Sequence, residues 1–179
     1  LMDPDGEPLI EPRLTGKIGP VPVVGFPDLI AMDLEGRVVA PDFKTPAQPS
    51  LEGFEKVSDQ LILYTELLQQ NADWLGIRGL EFRGAGFVEL LKKRVPKTRR
   101  GTGPTIEEPR IAPPPSAELR REFKERLLDA AEGIAAERFP RDPRMPHNSP
   151  CGMCDYQSWC FDGDPDGLVF PEQEQEALV

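Results

Sequence analysis

Two carboxylates and one ammonium group in the first third of the chain, Asp28, Asp42 and Lys44, have a spacing that could form a small reactive site. Residues 33–36 (Asp-Leu-Glu-Gly) are typical of a tight turn between two strands. A hairpin centred on this turn places Asp28 opposite Pro41 or Asp42. Strand alternation places Asp42 and Lys44 on the same face. The three charged side chains are therefore expected to converge on one patch.

Such a patch has a definite chemical use. Two carboxylates, helped by a backbone carbonyl group and water, suit a hard divalent cation such as Mg²⁺ or Mn²⁺. The cation would polarise a phosphodiester and lower the pKa of an attacking water, and Lys44 would orient that water or stabilise the developing negative charge. The alternative is an ordinary hairpin whose acids and lysine form solvated cross-strand pairs. Pro41, which is awkward in a central strand, favours this alternative.

A helical segment follows the lysine. Ser58 is a suitable N-cap, and apolar residues recur at helical spacing up to about residue 70. Within this segment Gln60 and Tyr64 are four residues apart, so they share one helical face. There they could contact a phosphate or a base and brace the metal site. The alternative makes Tyr64 a core aromatic and Gln60 a surface residue.

The three cysteines of the chain, Cys151, Cys154 and Cys160, lie within ten residues of one another. A disulfide framework is not distributed in this way, so we expect a reducing, cytoplasmic compartment. Thiolates at this spacing are typical ligands of an iron–sulfur cluster or of zinc.

These motifs together resemble the PD-(D/E)xK nuclease superfamily. Pro27-Asp28, then Asp42-Phe43-Lys44-Thr45, then Gln60-x3-Tyr64 resemble the RecB-like branch, and the cysteines resemble those of its cluster-bearing members: the AddB nuclease domain, exonuclease V-like enzymes and CRISPR-adaptation nucleases. The resemblance implies an α/β, restriction-endonuclease-like core in which helices flank a mixed β-sheet. It also implies that a C-terminal cysteine-rich segment clasps the two ends of the domain.

The resemblance implies metal-dependent hydrolysis of DNA, by an exonuclease that acts on single-stranded ends or duplex ends. The setting would be DNA repair or recombination, phage DNA processing or CRISPR adaptation, with a protein partner subunit as a further expectation. In this reading Asp28, Asp42 and the Phe43 carbonyl hold Mg²⁺ or Mn²⁺, Lys44 is the catalytic cation, and Gln60 and Tyr64 complete the catalytic group.

The chain departs from the family pattern at the cysteines. Related cluster-bearing nucleases carry a fourth cysteine upstream of the catalytic strands, whereas no cysteine precedes Cys151 and the only histidine is His147. We therefore expect either that an N-terminal part is missing or that the fourth ligand differs. Cys151, Cys154 and Cys160 would hold a [4Fe-4S] cluster or, together with His147, Zn²⁺. The remaining functional alternatives are an inactive nuclease-like DNA-binding module and a zinc-binding interaction module within a larger complex.

One basic run contrasts with the formal net charge of −10. Such runs are usually solvated, but beside a nuclease site this one becomes a candidate contact for phosphates of DNA. The net acidity argues against a surface that wraps duplex DNA. No apolar run reaches the roughly 18 residues of a membrane-spanning helix, so we expect no membrane contact. The candidate DNA-binding residues are Lys92, Lys93, Arg94, Lys97, Arg99 and Arg100.

The elements that must position these residues follow from periodicity and from turn residues. Ser116 opens an amphipathic helix to about residue 139, with Leu119, Phe123, Leu127, Ala131 and Ile134 as its apolar stripe. We expect a mobile loop over 101–115. The predicted strands are 14–18, 23–33, 37–44, 73–82 and 85–91. The predicted divisions are a nuclease-like core over 1–145, a cysteine-rich segment over 146–164 and an acidic flexible tail over 165–179.

Overall fold

The computed structural model describes residues 1–2, 5–93, 103–138 and 150–168. Two compact units are distinguished, Leu1–Glu132 and Gly133–Val179. The first contains both β-sheets and most of the buried apolar side chains. The predicted divisions at residues 145 and 164 stay predictions.

The central sheet of the first unit is mixed. The strands in chain order are β1 (Leu14–Ile18), β2 (Val21–Gly25), β3 (Ala31–Met32), β4 (Val38–Lys44), β5 (Phe82–Leu91), β6 (Thr105–Ile106) and β7 (Arg110–Ala112). Strands β3 and β4 pair antiparallel, β4 and β5 pair in parallel, and β5 pairs antiparallel with both β6 and β7. A separate antiparallel hairpin consists of β1 and β2.

Helices cover these strands, which gives the mixed α/β architecture that the sequence predicted. Helix α1 (Asp59–Gln70) buries Leu61, Leu67 and Leu68 in the main core, against apolar side chains of β4 and β5. Helix α2 (Ala117–Ala135) contributes Phe123 to a second cluster with Ile18 and Ile62.

The second unit contains the end of α2, a 3₁₀ turn (Pro150–Met153) and helix α3 (Gln157–Asp162). Within the described residues, no helix is long and apolar enough to cross a bilayer.

The predicted turn at residues 33–36 joins β3 and β4. Asp33 Oδ1 accepts hydrogen bonds from the backbone N–H groups of Glu35 and Arg37, both at 2.9 Å, and Gly36 has a positive φ of 79°. Ala31 pairs with Val39 and Met32 with Val38, as expected for a hairpin centred on this turn.

Four predicted elements differ from the structure. The predicted single strand over 23–33 is two strands, β2 and β3, which belong to different sheets. The chain leaves the β1–β2 hairpin at Phe26–Pro27 before it enters the central sheet. Residues 73–81 are turns, with positive φ at Gly76 and Gly79. The expected mobile loop over 101–115 contains β6 and β7, and α2 ends at Ala135, within the described residues and short of position 139.

The predicted helix caps differ from one another in the structure. Ser116 caps α2 through its Oγ, which accepts a hydrogen bond from the Leu119 N–H. Ser58 precedes α1 as predicted, but its side chain makes no capping hydrogen bond. The apolar stripe of α2 buries Phe123 and leaves Ile134 64% exposed.

Candidate active site

Asp42 is the most deeply buried charged residue among those described, with 1% of its surface exposed. It lies near the end of β4, the strand that pairs with β3 on one side and β5 on the other. Its Oδ1 accepts a hydrogen bond of 2.9 Å from Gln60 Nε2, and its Oδ2 lies 2.6 Å from Lys44 Nζ. Asp42 and Lys44 therefore share a face of β4, as strand alternation requires.

Asp28 reaches the same strand from the segment before β3. Its Oδ2 accepts a hydrogen bond of 2.6 Å from the Phe43 N–H. The Asp28 carboxylate thus accepts the hydrogen bond of a β4 backbone N–H group that lies beyond the residues of β4 paired with β3. In an extended strand the N–H groups of residues i and i+2 point to the same side. The backbone nitrogen of Pro41, which carries no hydrogen, therefore faces the same side of β4 as the Phe43 N–H, where β3 no longer pairs with β4. Pro41 is compatible with an interior strand here because no ladder bond is lost.

Gln60 and Tyr64 link α1 to this strand. Gln60 Nε2 lies 2.8 Å from Tyr64 Oη as well as within hydrogen-bond distance of Asp42, and Tyr64 Oη donates to the Phe26 carbonyl oxygen at 3.1 Å. Tyr64 is 6% exposed and packs in the main core. It is therefore both a core aromatic and a member of the polar network, so the two readings of its role are not exclusive.

Burial sets the electrostatics of the site. Desolvation raises the pKa of Asp42, against the opposing effect of Lys44, and the nearby Asp28 adds to the increase. Desolvation also raises the pKa of the Tyr64 phenol, so it stays a neutral hydrogen-bond donor near neutral pH. Asp42 Oδ2 has an ion-pair partner in Lys44 but no partner in hydrogen-bond geometry among the described residues.

The donor chemistry of the site fits a divalent cation. Asp42 Oδ2 is buried without a hydrogen bond among the described residues, and the charge of Lys44 compensates its lost hydration. Asp28 is half-buried and close enough to raise the pKa of Asp42. Two neighbouring carboxylates are the hard oxygen donors that Mg²⁺ and Mn²⁺ prefer.

Two further residues shape the surroundings of the site: Gly25, which precedes the Pro27-Asp28 motif, and Phe87, which no sequence motif indicated. Gly25 lets α1 approach β2, because a Cβ there would lie 2.7 Å from Leu67 Cδ1 and 3.4 Å from Tyr64. Phe87 is in register with Asp42 on β5, and Lys44 Nζ lies 6.0 Å from the centre of its ring. Alternation of β5 could have indicated Phe87, whereas only the strand pairing could have indicated that it lies under Lys44.

A second buried polar network lies next to this group. Glu89, 3% exposed, is in register with Lys44 and forms an ion pair of 2.8 Å with Arg110 of β7. No motif in the sequence pointed to either residue, because their meeting depends on the pairing of β5 with β7.

The basic run is only partly covered by the described residues. Lys92 and Lys93 are exposed, and Lys93 Nζ lies 3.3 Å from Thr105 Oγ1. Arg94, Lys97, Arg99 and Arg100 lie outside the described residues. Their role as DNA contacts stays a prediction.

The cysteines fall in the second unit. Cys151 and Cys160 are half-buried and Cys154 is exposed. The Cys154 N–H, just after the 3₁₀ turn, donates a hydrogen bond of 3.2 Å to the Cys151 carbonyl oxygen. His147 lies outside the described residues. In the part of the chain that the structure describes, no group of three or more His, Cys, Asp or Glu side chains is arranged to hold a metal ion.

In a comparison with protein-family models, the model of the PD-(D/E)XK nuclease superfamily matches residues 6–161 of the chain. The matched range contains the carboxylate pair, Gln60, Tyr64 and the three cysteines. Comparisons with curated proteins and with solved structures give no significant match.

Proposed function

The chain belongs to the PD-(D/E)XK nuclease superfamily, and we propose that it is a metal-dependent deoxyribonuclease whose reaction centre consists of Asp28, Asp42 and Lys44. One observation carries this proposal. Asp42 is buried, paired with Lys44 at 2.6 Å and left with an oxygen that lacks a hydrogen bond. Desolvation commonly offsets the attraction within a buried ion pair, so a buried carboxylate beside Asp28 is better explained by function than by stability.

Mg²⁺ or Mn²⁺ held by Asp28, Asp42 and the Phe43 carbonyl would polarise the scissile phosphodiester and lower the pKa of the attacking water. The side chains of the protein have separate tasks. Lys44, whose side chain is 42% exposed, can stabilise negative charge that develops on a phosphate oxygen. Gln60 holds Asp42 through Oδ1, and Tyr64 holds Gln60, so the orientation of the carboxylate is set by α1.

The order of the motifs supports a more specific proposal. Gln60-x3-Tyr64 after Asp42-x-Lys44 is the order of the RecB-like branch, in which exonucleases process DNA ends. We therefore propose exonuclease action on single-stranded or duplex ends, in DNA repair or recombination, phage DNA processing or CRISPR adaptation, together with a protein partner subunit.

The cysteine spacing supports a bound metal centre in the C-terminal segment. Cys151, Cys154 and Cys160 would supply three thiolates of a [4Fe-4S] cluster, and with His147 they would instead supply a zinc site. The arrangement of the thiols in the described residues does not form a closed ligand set, so ligand binding would have to reorganise this segment. Elemental analysis and visible absorption of protein purified without oxygen distinguish iron, zinc and no metal.

Hydrolysis of end-labelled DNA tests the proposed activity. We expect the chain to degrade single-stranded and duplex oligonucleotides with Mn²⁺ or Mg²⁺ and not with a chelator. Asp42→Asn and Lys44→Met should abolish hydrolysis, while Asp73→Asn, a change at an exposed ion pair with Arg78, should not. Full activity in Asp42→Asn would refute the site, and labels at each end would give the polarity.

A second candidate is an inactive nuclease-like DNA-binding module, or a zinc-binding interaction module, within a larger complex. It is favoured by one observation: in the described residues Asp28 and Asp42 are not joined by a third His, Cys, Asp or Glu ligand. Binding of DNA without hydrolysis under any divalent cation would support the first form. Stoichiometric zinc without DNA binding would support the second.

A further inference from the structure

The segment between Lys44 and α1 exposes a short apolar surface, which consists of Leu51, Phe54 and Val57. Leu51 is 80% exposed, Phe54 48% and Val57 52%. Phe54 begins a 3₁₀ turn (Phe54–Lys56), and Val57 follows it. Residues three apart lie above one another in 3₁₀ geometry, so Phe54 and Val57 share a side. Neighbouring exposed apolar side chains that form one patch can mark a binding site.

Phe54 lies close to the proposed reaction centre. Its ring stacks on that of Phe87, with ring centres 6.2 Å apart and planes inclined by 14°. Phe87 is the residue in register with Asp42, and its ring lies 6.0 Å from Lys44 Nζ. The ring of Phe87 thus contacts the ring of Phe54 and lies 6.0 Å from the Lys44 ammonium group.

A buried network holds this surface in place. Arg110 Nη1 donates to the carbonyl oxygens of Ser50 and Leu51 at 3.2 and 3.3 Å, and Nη2 donates to Glu89 at 2.8 Å. Glu89 also accepts a hydrogen bond of 3.1 Å from the Ser50 N–H. The Leu51 carbonyl oxygen additionally accepts from the Phe54 N–H at 3.1 Å.

This anchoring affects any ligand of the surface. The network fixes the backbone on the N-terminal side of Phe54, and the stack on Phe87 fixes its ring. A preorganised aromatic ring loses little conformational freedom when a ligand stacks on it.

We propose that Leu51, Phe54 and Val57 form a stacking surface for an unpaired nucleobase next to the scissile phosphate, which makes single-stranded DNA the favoured substrate. Its location rests on the proposed nuclease function. An exposed aromatic face is the group that binds bases of any sequence. In duplex DNA the base faces are covered by their neighbours, so only an unpaired or frayed nucleotide can use it.

Binding of fluorescent single-stranded and duplex oligonucleotides to the full chain, with a chelator present to prevent hydrolysis, tests the proposal. The variants are Phe54→Leu, which keeps apolar contact with Phe87 but removes the aromatic face, and Phe54→Trp, which keeps that face. Trp74→Ala, a change at another half-exposed aromatic (46%) on a turn after α1, is the control. We expect Phe54→Leu to weaken single-strand binding about tenfold or more, and Phe54→Trp and Trp74→Ala to leave it within about twofold of wild type.

An abasic scan locates the contact. Removing one base at a time should weaken binding to wild type at one position, and that loss should disappear in Phe54→Leu because the partner ring is already gone. Equal losses in both proteins at every position, or unchanged single-strand affinity of Phe54→Leu, would overturn the proposal. A failure of the proposed nuclease function would be a separate result. In that case the wild-type protein would not hydrolyse DNA, or would hydrolyse it no faster than Asp42→Asn.

Discussion

Lys44→Met should destabilise the protein more than Asp42→Asn, although both changes break the same ion pair. The asymmetry follows from burial, because Asp42 is 1% exposed while the Lys44 side chain is 42% exposed. Without Lys44 the carboxylate stays buried and keeps the hydrogen bond from Gln60 but loses its compensating charge. Without the charge on Asp42, the ammonium group of Lys44 can be hydrated.

The magnitude lies between two limits. Removing one partner of a fully buried pair costs about 3–5 kcal/mol, whereas an exposed pair contributes about 0–1 kcal/mol. Because Lys44 is partly solvated, we expect about 2 kcal/mol for Lys44→Met. Asp42→Asn should cost less than about 1 kcal/mol, since the amide oxygen of Asn still accepts from Gln60. The double variant should recover most of the loss of Lys44→Met, because it no longer buries a charge.

Urea unfolding followed by circular dichroism measures these differences, with a chelator present so that no divalent cation replaces Lys44. The order of stability should be wild type, Asp42→Asn, double variant and Lys44→Met, with the last clearly separated. If Lys44→Met were as stable as Asp42→Asn, or if the double variant were less stable than Lys44→Met, Asp42 would not be a buried charge held by Lys44. The burial argument for a cation site would then fail with it.

Three further predictions concern the surroundings of the site. Gln60→Leu should lower nuclease activity or cation affinity by about 10–100-fold, since Gln60 orients Asp42, while Gln48→Leu at an exposed loop position should not; titration of activity with Mn²⁺ separates the two effects. Asp33→Asn should make stability less sensitive to acid. The backbone N–H of Arg37, followed by the Arg37 side chain and the Glu35 N–H, lowers the pKa of Asp33 below 3.8. The contribution of ionised Asp33 to folding stability is therefore present above that pH and is lost as the pH falls through the lowered pKa. If the wild type and Asp33→Asn lost stability in parallel on acid titration, this reasoning would be contradicted. Gly84→Ala should destabilise by about 1–3 kcal/mol or more because a Cβ would overlap the Ala112 carbonyl oxygen between β5 and β7. Gly133→Ala in α2 should stabilise by about 0.5–1 kcal/mol, because a Cβ there would meet only the Arg138 carbonyl oxygen, at an ordinary contact distance of 3.9 Å; thermal unfolding of the two variants checks both signs.

The parts of the site that the sequence predicted are those set by local geometry. The turn at Asp33–Gly36 fixes the pairing of β3 with β4, and strand alternation then places Asp42 beside Lys44. The four-residue spacing of Gln60 and Tyr64 places both on one helical face, which the hydrogen bond between them reflects. Each of these relations spans few residues, so a sequence pattern is sufficient to encode it.

The predicted strand over residues 73–82 was wrong because an apolar run was mistaken for strand conformation. The run includes Leu75 and Ile77, whose side chains are indeed buried. The chain at this point instead turns through Gly76 and Gly79 at φ values of 65° and 82°. Burial of an apolar side chain requires only a path past the core, so a short apolar run does not specify the backbone conformation.

The pairing of β5 with β7 explains why the surroundings of the site could not be predicted. Arg110 acts 21 positions from Glu89 and 60 from Ser50, and the sequence between β5 and β7 reads as a loop. Only the antiparallel register, with Phe87 opposite Arg110, brings the guanidinium group under the segment that joins Lys44 to α1. That segment carries Phe54 on one side and leads to Gln60 on the other. The non-local network therefore anchors the stretch of chain that joins the proposed stacking surface to the helix carrying Gln60. We expect changes in this network to affect both the proposed substrate preference and the proposed hydrolysis.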